Sequence, residues 1–144
     1  MANSLGLLPS REEVRARYSV RLLAGALATG RGVVHHEGGL ERLLAWEQVL
    51  WALAAEVGEP QGVRTVVFDL VVDRGEGSFS VCRFDAEPGE DAVAAACAIA
   101  EALPAERLGV SIKSLALDGV VCHWYPDLEA LEEGALALLV DLGD

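Results

Sequence analysis

Lysine is almost missing from this chain: Lys113 is the only one among 144 residues, and arginine supplies the other ten cations against 23 acids. Binding to a nucleic-acid backbone draws on clustered Lys and Arg that release condensed counterions. A polybasic patch is likewise what holds a protein to an anionic bilayer. At a net charge of −12 the chain repels both surfaces, so neither nucleic acid nor a membrane is expected as a partner. Long apolar runs are missing as well. Uncharged stretches such as Gln48–Ala55, Ala92–Ala100 and Gly134–Val140 fall far short of the roughly 18–20 residues of a spanning helix. Met1–Pro9 has no basic n-region and too short an apolar run for a secretory signal, and Ala2 in place of Gly excludes N-myristoylation. The expected location is the cytoplasm.

Cysteine is scarce. Cys82, Cys97 and Cys122 are odd in number and widely spaced, whereas a secreted disulfide scaffold carries more, in pairs. All three read as buried reduced thiols acting as small hydrophobes. Motifs that carry chemistry are equally thin. There is no Gly-x-Ser-x-Gly elbow and no Gly-Lys-Ser/Thr phosphate loop, and Gly30-Arg-Gly32 opens like a dinucleotide loop but runs on into Val-Val-His. His35, His36, Cys82, Cys122 and His123 lack the short paired spacing of a zinc site, and each adjacent pair would point to opposite faces of a strand. Cys122 beside His123 is not a catalytic dyad by adjacency alone. Asp69 and Asp73 share a strand face but stand about 13 Å apart at ~3.3 Å per residue, too far to share a proton. They read as solvated strand ends. No catalytic residue, cofactor or metal is expected.

What the chain has in quantity is apolar bulk and a lopsided charge map. The apolar fraction of 52% and mean hydropathy of +0.32 are high for a soluble monomer. They predict a dense core or apolar surface meant for another chain. Residues 1–44 hold six arginines against four acids, net +2, and residues 45–144 hold five cations against nineteen acids, net −14. With no repeat, linker or low-complexity segment, residues 1–144 read as one domain behind a loose leader at 1–9.

Local patterns give the elements. Ser10-Arg-Glu-Glu13 is a capping box that starts a short helix to about Arg17. Tyr18, Val20 and Leu22 alternate as in a half-buried strand, Ala28–Gly32 is a turn, and Val33–His36 is the returning strand. Leu40–Val57 fits two readings. As a helix it puts Leu40, Leu43, Leu44, Leu50, Leu53 and Val57 on one face; as strands it turns a corner at Trp46-Glu47. Val63–Val72 is β-branched and too short for a core helix, so it is a central strand. Asp73–Gly77 is a hairpin loop and Phe79–Phe84 its antiparallel partner. Pro88-Gly-Glu-Asp91 opens a helix that runs through Leu103 and stops at Pro104. Val110–Leu117 reads as a short strand or a helical turn, and Val120–Tyr125 is extended. A final helix starts at Pro126-Asp127, with Leu128, Leu131, Ala135, Leu138 and Leu139 as its apolar stripe.

The order hairpin, strand, Trp46-Glu-Gln-Val49 corner, strand, Val63–Val72, hairpin, Phe79–Phe84, helix resembles the bacterial pleckstrin-homology-like domains over residues 18–103. It departs from them by one strand too few and by a second helical segment after residue 104. The resemblance implies an α+β fold: a bent antiparallel sheet, a half-barrel, closed by the helix at 89–103, with residues 104–144 as a C-terminal α extension packed on it. It also implies an interaction platform, and it selects strands for 40–57. The alternative is an α/β sandwich with 40–57 helical.

Trp124 and Tyr125 precede an acidic helix bearing Asp127, Glu129, Glu132 and Glu133, with no cation in residues 114–144. Aromatics ringed by charge of one sign are common at protein interfaces. These six residues form the candidate interaction surface, and its partner is expected to be a protein with a basic surface, a second copy of the chain, or both. The residues thus point to a non-enzymatic protein–protein interaction domain, an adaptor with a regulatory or scaffolding role. A small-molecule-binding domain with a cavity under the sheet, and an enzyme whose site assembles only in the fold, are the other readings.

Overall fold

The β-branched run beyond residue 63 becomes the middle of a large sheet, because both of its faces find apolar cover. The structure, a computed structural model, describes residues 12–13, 16, 19–58, 62, 64–75, 78–102, 108–111, 114–117 and 120–142. In chain order the elements are β1 (Val20–Leu22), β2 (Ala24–Ala28), β3 (Gly32–Glu37), β4 (Leu40–Ala45), a 3-10 turn (Trp46–Gln48) and β5 (Val49–Gly58). There follow β6 (Arg64–Gly75), β7 (Ser78–Ala86), α1 (Glu90–Ala102), β8 (Leu108–Ser111), β9 (Ser114–Leu117), β10 (Val120–Tyr125) and α2 (Leu128–Leu142). The fold is α+β. Among the described residues seven strands form one open sheet in the order β1-β7-β6-β5-β10-β9-β8, and β2-β3-β4 form a second.

Alternation along β5, β6 and β7 sorts the core into two layers. Ala52, Ala54, Phe68, Leu70, Val72, Cys82 and Phe84 face one way, under the inner face of the small sheet and the Ala92, Ala95 and Ile99 stripe of α1. Leu53, Ala55, Val67, Val71 and Val81 face the other way, under Leu131 and Ala135 of α2. Phe68 and Phe84 stack at 5.0 Å, and Trp124 meets Phe68 edge-on at 6.5 Å. Contacts of this kind add about 0.5–1.5 kcal/mol per pair beyond area burial.

The chain crosses between the sheets twice, and each crossing has a local cause. At Leu23 it leaves β7 after one last bond, Leu23 N–H to the Arg83 carbonyl at 2.7 Å, and Gly25 at φ 62 helps it into β2. At Trp46 the indole is 2% exposed and its Nε1–H donates to the Thr29 carbonyl at 2.8 Å, which ties the corner to the Thr29–Gly32 turn.

Residues 40–57 are therefore strands with a corner at Trp46, and the helical alternative is incorrect. The sheet is not wholly antiparallel: β1 runs parallel to β7 and β10 parallel to β5. The segment after 104 is no purely helical extension either, since β10 is inserted beside β5 and carries β9 and β8 outward. Of the strand expected over 18–22, Val20–Leu22 is β1; after Leu23 the chain continues in the other sheet as β2, which reaches Ala28, a residue expected in the turn. The leader at 1–9, Ser10 of the capping box, Leu103 and Pro104 lie outside the described residues, as do parts of the 58–62 and 73–77 turns. No helix among the described residues is long and apolar enough to cross a membrane.

Candidate functional site

The six residues of the expected interaction surface do not share one face. Consecutive strand residues point oppositely, so Trp124 packs with Phe68 under the α1 layer, while Tyr125 packs in the α2 layer. The Tyr125 ring lies so close to Gly134 that a Cβ there would sit 2.4 Å from Cζ. Burial pushes the Tyr125 phenol up and the neighbouring His123 imidazole down. Asp127 caps α2, its Oδ1 accepting from the Ala130 N–H at 2.9 Å. Glu129, Glu132 and Glu133 are exposed along the outer side of that helix. They were expected to lack a counter-charge, but Glu132 Oε1 lies 3.5 Å from Nη1 of Arg83.

Arg83 belongs to a buried ion pair. It stands directly across from Asp69 in the β6–β7 ladder, and its Nε and Nη2 donate to the two carboxylate oxygens at 2.7 and 2.9 Å. Asp69 is wholly buried, so its reading as a solvated strand end is incorrect; Asp73, exposed, accepts from the Gly75 N–H at 2.8 Å within its turn. Cys82 is buried as expected, Cys97 is exposed, and the Cys122 side chain lies outside the described ones.

His35 and His36 do point apart: His35 is buried against the core side of the small sheet and His36 is exposed. Among the described residues the Nδ1 of His35 has no hydrogen-bond partner, and desolvation holds its pKa below 6.5. Between that lowered value and 6.5 the unfolded chain binds the proton more readily, so stability falls as pH falls through this window. We expect the urea midpoint to drop from pH 7.5 to pH 5.5, and less steeply in His35→Leu. An equal slope in the variant would remove His35 as the cause.

A concavity among the described residues lies elsewhere, between the two sheets and the start of α1. It has a volume of about 670 Å³. Its apolar lining comes from Ala26, Leu27 and Ala28 of β2, Phe84 and Ala86 of β7, and Ala94 and Ala95 of α1. Among the described residues its polar lining is Thr65 with three acidic residues, Asp85, Glu87 and Asp91, and no cation. The sharp Pro88-Gly89 turn, with Gly89 at φ 104, returns the chain from β7 into α1 and brings those acids to one rim. Leu27 is 66% exposed at the mouth. In the sequence Glu90 and Asp91 read only as part of a helix start. The available signal was four acids within residues 85–91 and no cation among them.

Compared with known proteins, the chain matches no family model, no curated protein and no solved structure. The geometry alone supports a functional reading.

Proposed function

We propose that this chain is a non-enzymatic protein–protein interaction domain, an adaptor that works in the cytoplasm and docks a basic partner in the groove between β2, β7 and α1. The observation that carries this is the groove's make-up, an apolar floor with an acidic rim and, among the described residues, no cation. Such a rim speeds encounter with a cationic partner and selects against acidic ones. The groove also answers the apolar excess of the sequence, since Leu27 stands exposed where a partner can cover it. A relationship to pleckstrin-homology-like domains is part of the same proposal, supported by the antiparallel succession β2–β4 and β5–β7 followed by α1.

A second copy of the chain is the other partner supported. Val34 is registered with Leu27 on one side and Leu43 on the other, and the three form an apolar row on the outer face of the small sheet. One experiment separates the two. A photo-crosslinking residue is placed at Leu27, Leu43 or Glu129 and activated in the native host. Crosslinks from Leu27 to a basic protein, lost at high salt and weakened roughly tenfold by Glu87→Lys with Asp91→Lys, are the expected result. Crosslinks between copies from Leu43 would mark a homo-oligomer. Crosslinks from Glu129 alone would move the partner to α2 and overturn the groove.

A further inference from the structure

One wall of the groove is a strand edge that no described strand continues. β1 pairs with β7 only over Val81, Cys82 and Arg83, and after the Leu23 N–H has bonded the Arg83 carbonyl the chain departs for the other sheet. Main-chain polar groups alternate sides along a strand. Asp85, two residues beyond Arg83, therefore turns its N–H and C=O to the same edge. Its cross-strand partner Val67 lies on the opposite side, and among the described residues no strand pairs with Asp85 at the open edge. The groove begins there.

An unpaired strand edge is a template for another extended chain, which supplies the missing donor and acceptor; a helix, whose main-chain groups are already bonded to one another, cannot. The side-chain surroundings select what is added. Leu27 and Ala94 offer apolar contact, and Asp85, Glu87 and Asp91 are matched by Lys or Arg. We infer that the groove takes an extended basic segment of a partner protein, which adds as a short strand beside Asp85 of β7, with its apolar side chains against Leu27 and Ala94 and its cations at the carboxylate rim. This rests on the proposed reading of the groove as a docking site, and it specifies how the partner binds.

Strand addition leaves a signature of period two in the ligand. The probe is the synthetic peptide acetyl-Lys-Val-Arg-Val-Lys-Val-amide, with a series carrying a single backbone N-methyl group at each position in turn, titrated into the full chain and followed by NMR. The parent peptide is expected to shift the Leu27, Asp85 and Ala94 amides and to slow exchange of the Asp85 N–H about tenfold. N-methylation at alternate positions should weaken binding by about tenfold, and at the intervening ones much less. Equal tolerance of every N-methyl group would overturn strand addition while leaving the groove a docking site. No binding at about 1 mM, or shifts confined to other surfaces, would overturn the docking reading as well. An Asp85 amide already slow to exchange in the free protein would show the edge taken by the chain itself, and would overturn the assignment to a partner. Equal binding of acetyl-Glu-Val-Glu-Val-Glu-Val-amide would overturn the basic character of the segment.

Discussion

Gly32→Ala is expected to lower the thermal midpoint by roughly 10–20 °C, from a loss of about 3–5 kcal/mol, or to leave the chain unfolded. Gly32 sits at φ 152, and a Cβ there would lie 2.1 Å from the Leu44 carbonyl oxygen and 2.9 Å from both the Leu44 carbonyl carbon and the Ala45 Cα. All three atoms are backbone of the paired strand β4, so no side chain can swing aside. Relief requires β3 and β4 to part at the corner that the Trp46–Thr29 hydrogen bond holds. Gly30, in the same turn, has nothing among the described residues within 4 Å of its Cβ position. Gly30→Ala should therefore stay within about 0.5 kcal/mol of the parent. Thermal unfolding of both variants by circular dichroism checks this, and equal midpoints would mean that the corner is not packed this way.

Asp69→Leu should cost about 3–5 kcal/mol, because it removes the carboxylate that both Nε and Nη2 of the largely buried Arg83 guanidinium hold beneath α2. The double variant Asp69→Leu with Arg83→Met should recover most of that loss, since removing both charges also removes the desolvation they impose. Burial is the larger influence on the Asp69 carboxyl and pushes it above 3.8, with Arg83 opposing. Between 3.8 and the raised value the folded chain holds a proton that the unfolded chain has released. Asp69 thus contributes stability on the acid side that is lost as pH rises through that window, opposite in sign to His35. Urea midpoints across this range, for the parent and for Asp69→Asn, measure the slope; a slope unchanged by the substitution would exclude Asp69 as its source.

The hairpin of β6 and β7, the helix after Pro88-Gly89 and the Asp127 cap were all legible in the sequence, because each is written in neighbouring residues. β5 was not, and its burial explains why. Ala52, Leu53, Ala54 and Ala55 are all fully buried, two on each face, so the alternation that marks a half-exposed strand is erased. The parallel pairs β1–β7 and β5–β10 have no local signal, since nothing in Val20–Leu22 or Val120–Tyr125 names its distant neighbour. Asp69 was misread because its partner, Arg83, is opposite only once the hairpin register is known. The groove stayed hidden for the same reason. Its acids are adjacent in sequence, but the apolar floor arrives from β2, some sixty residues earlier.

The parallel pairing of β5 with β10 also sets an order of events during synthesis. Trp51 is matched with Val121, seventy positions later in the chain. At ~5–20 residues per second, about 4–14 s separate their emergence from the ribosome. β6 can close one side of β5 early, through short-range contacts. The other side, along Ala52–Ala55, stays bare until β10 has been made. For those seconds the nascent chain carries an apolar strand with an open margin, the kind of surface on which chaperones act and neighbouring chains aggregate. The C-terminal part is thus the cover for an edge that the first half exposes and cannot close alone.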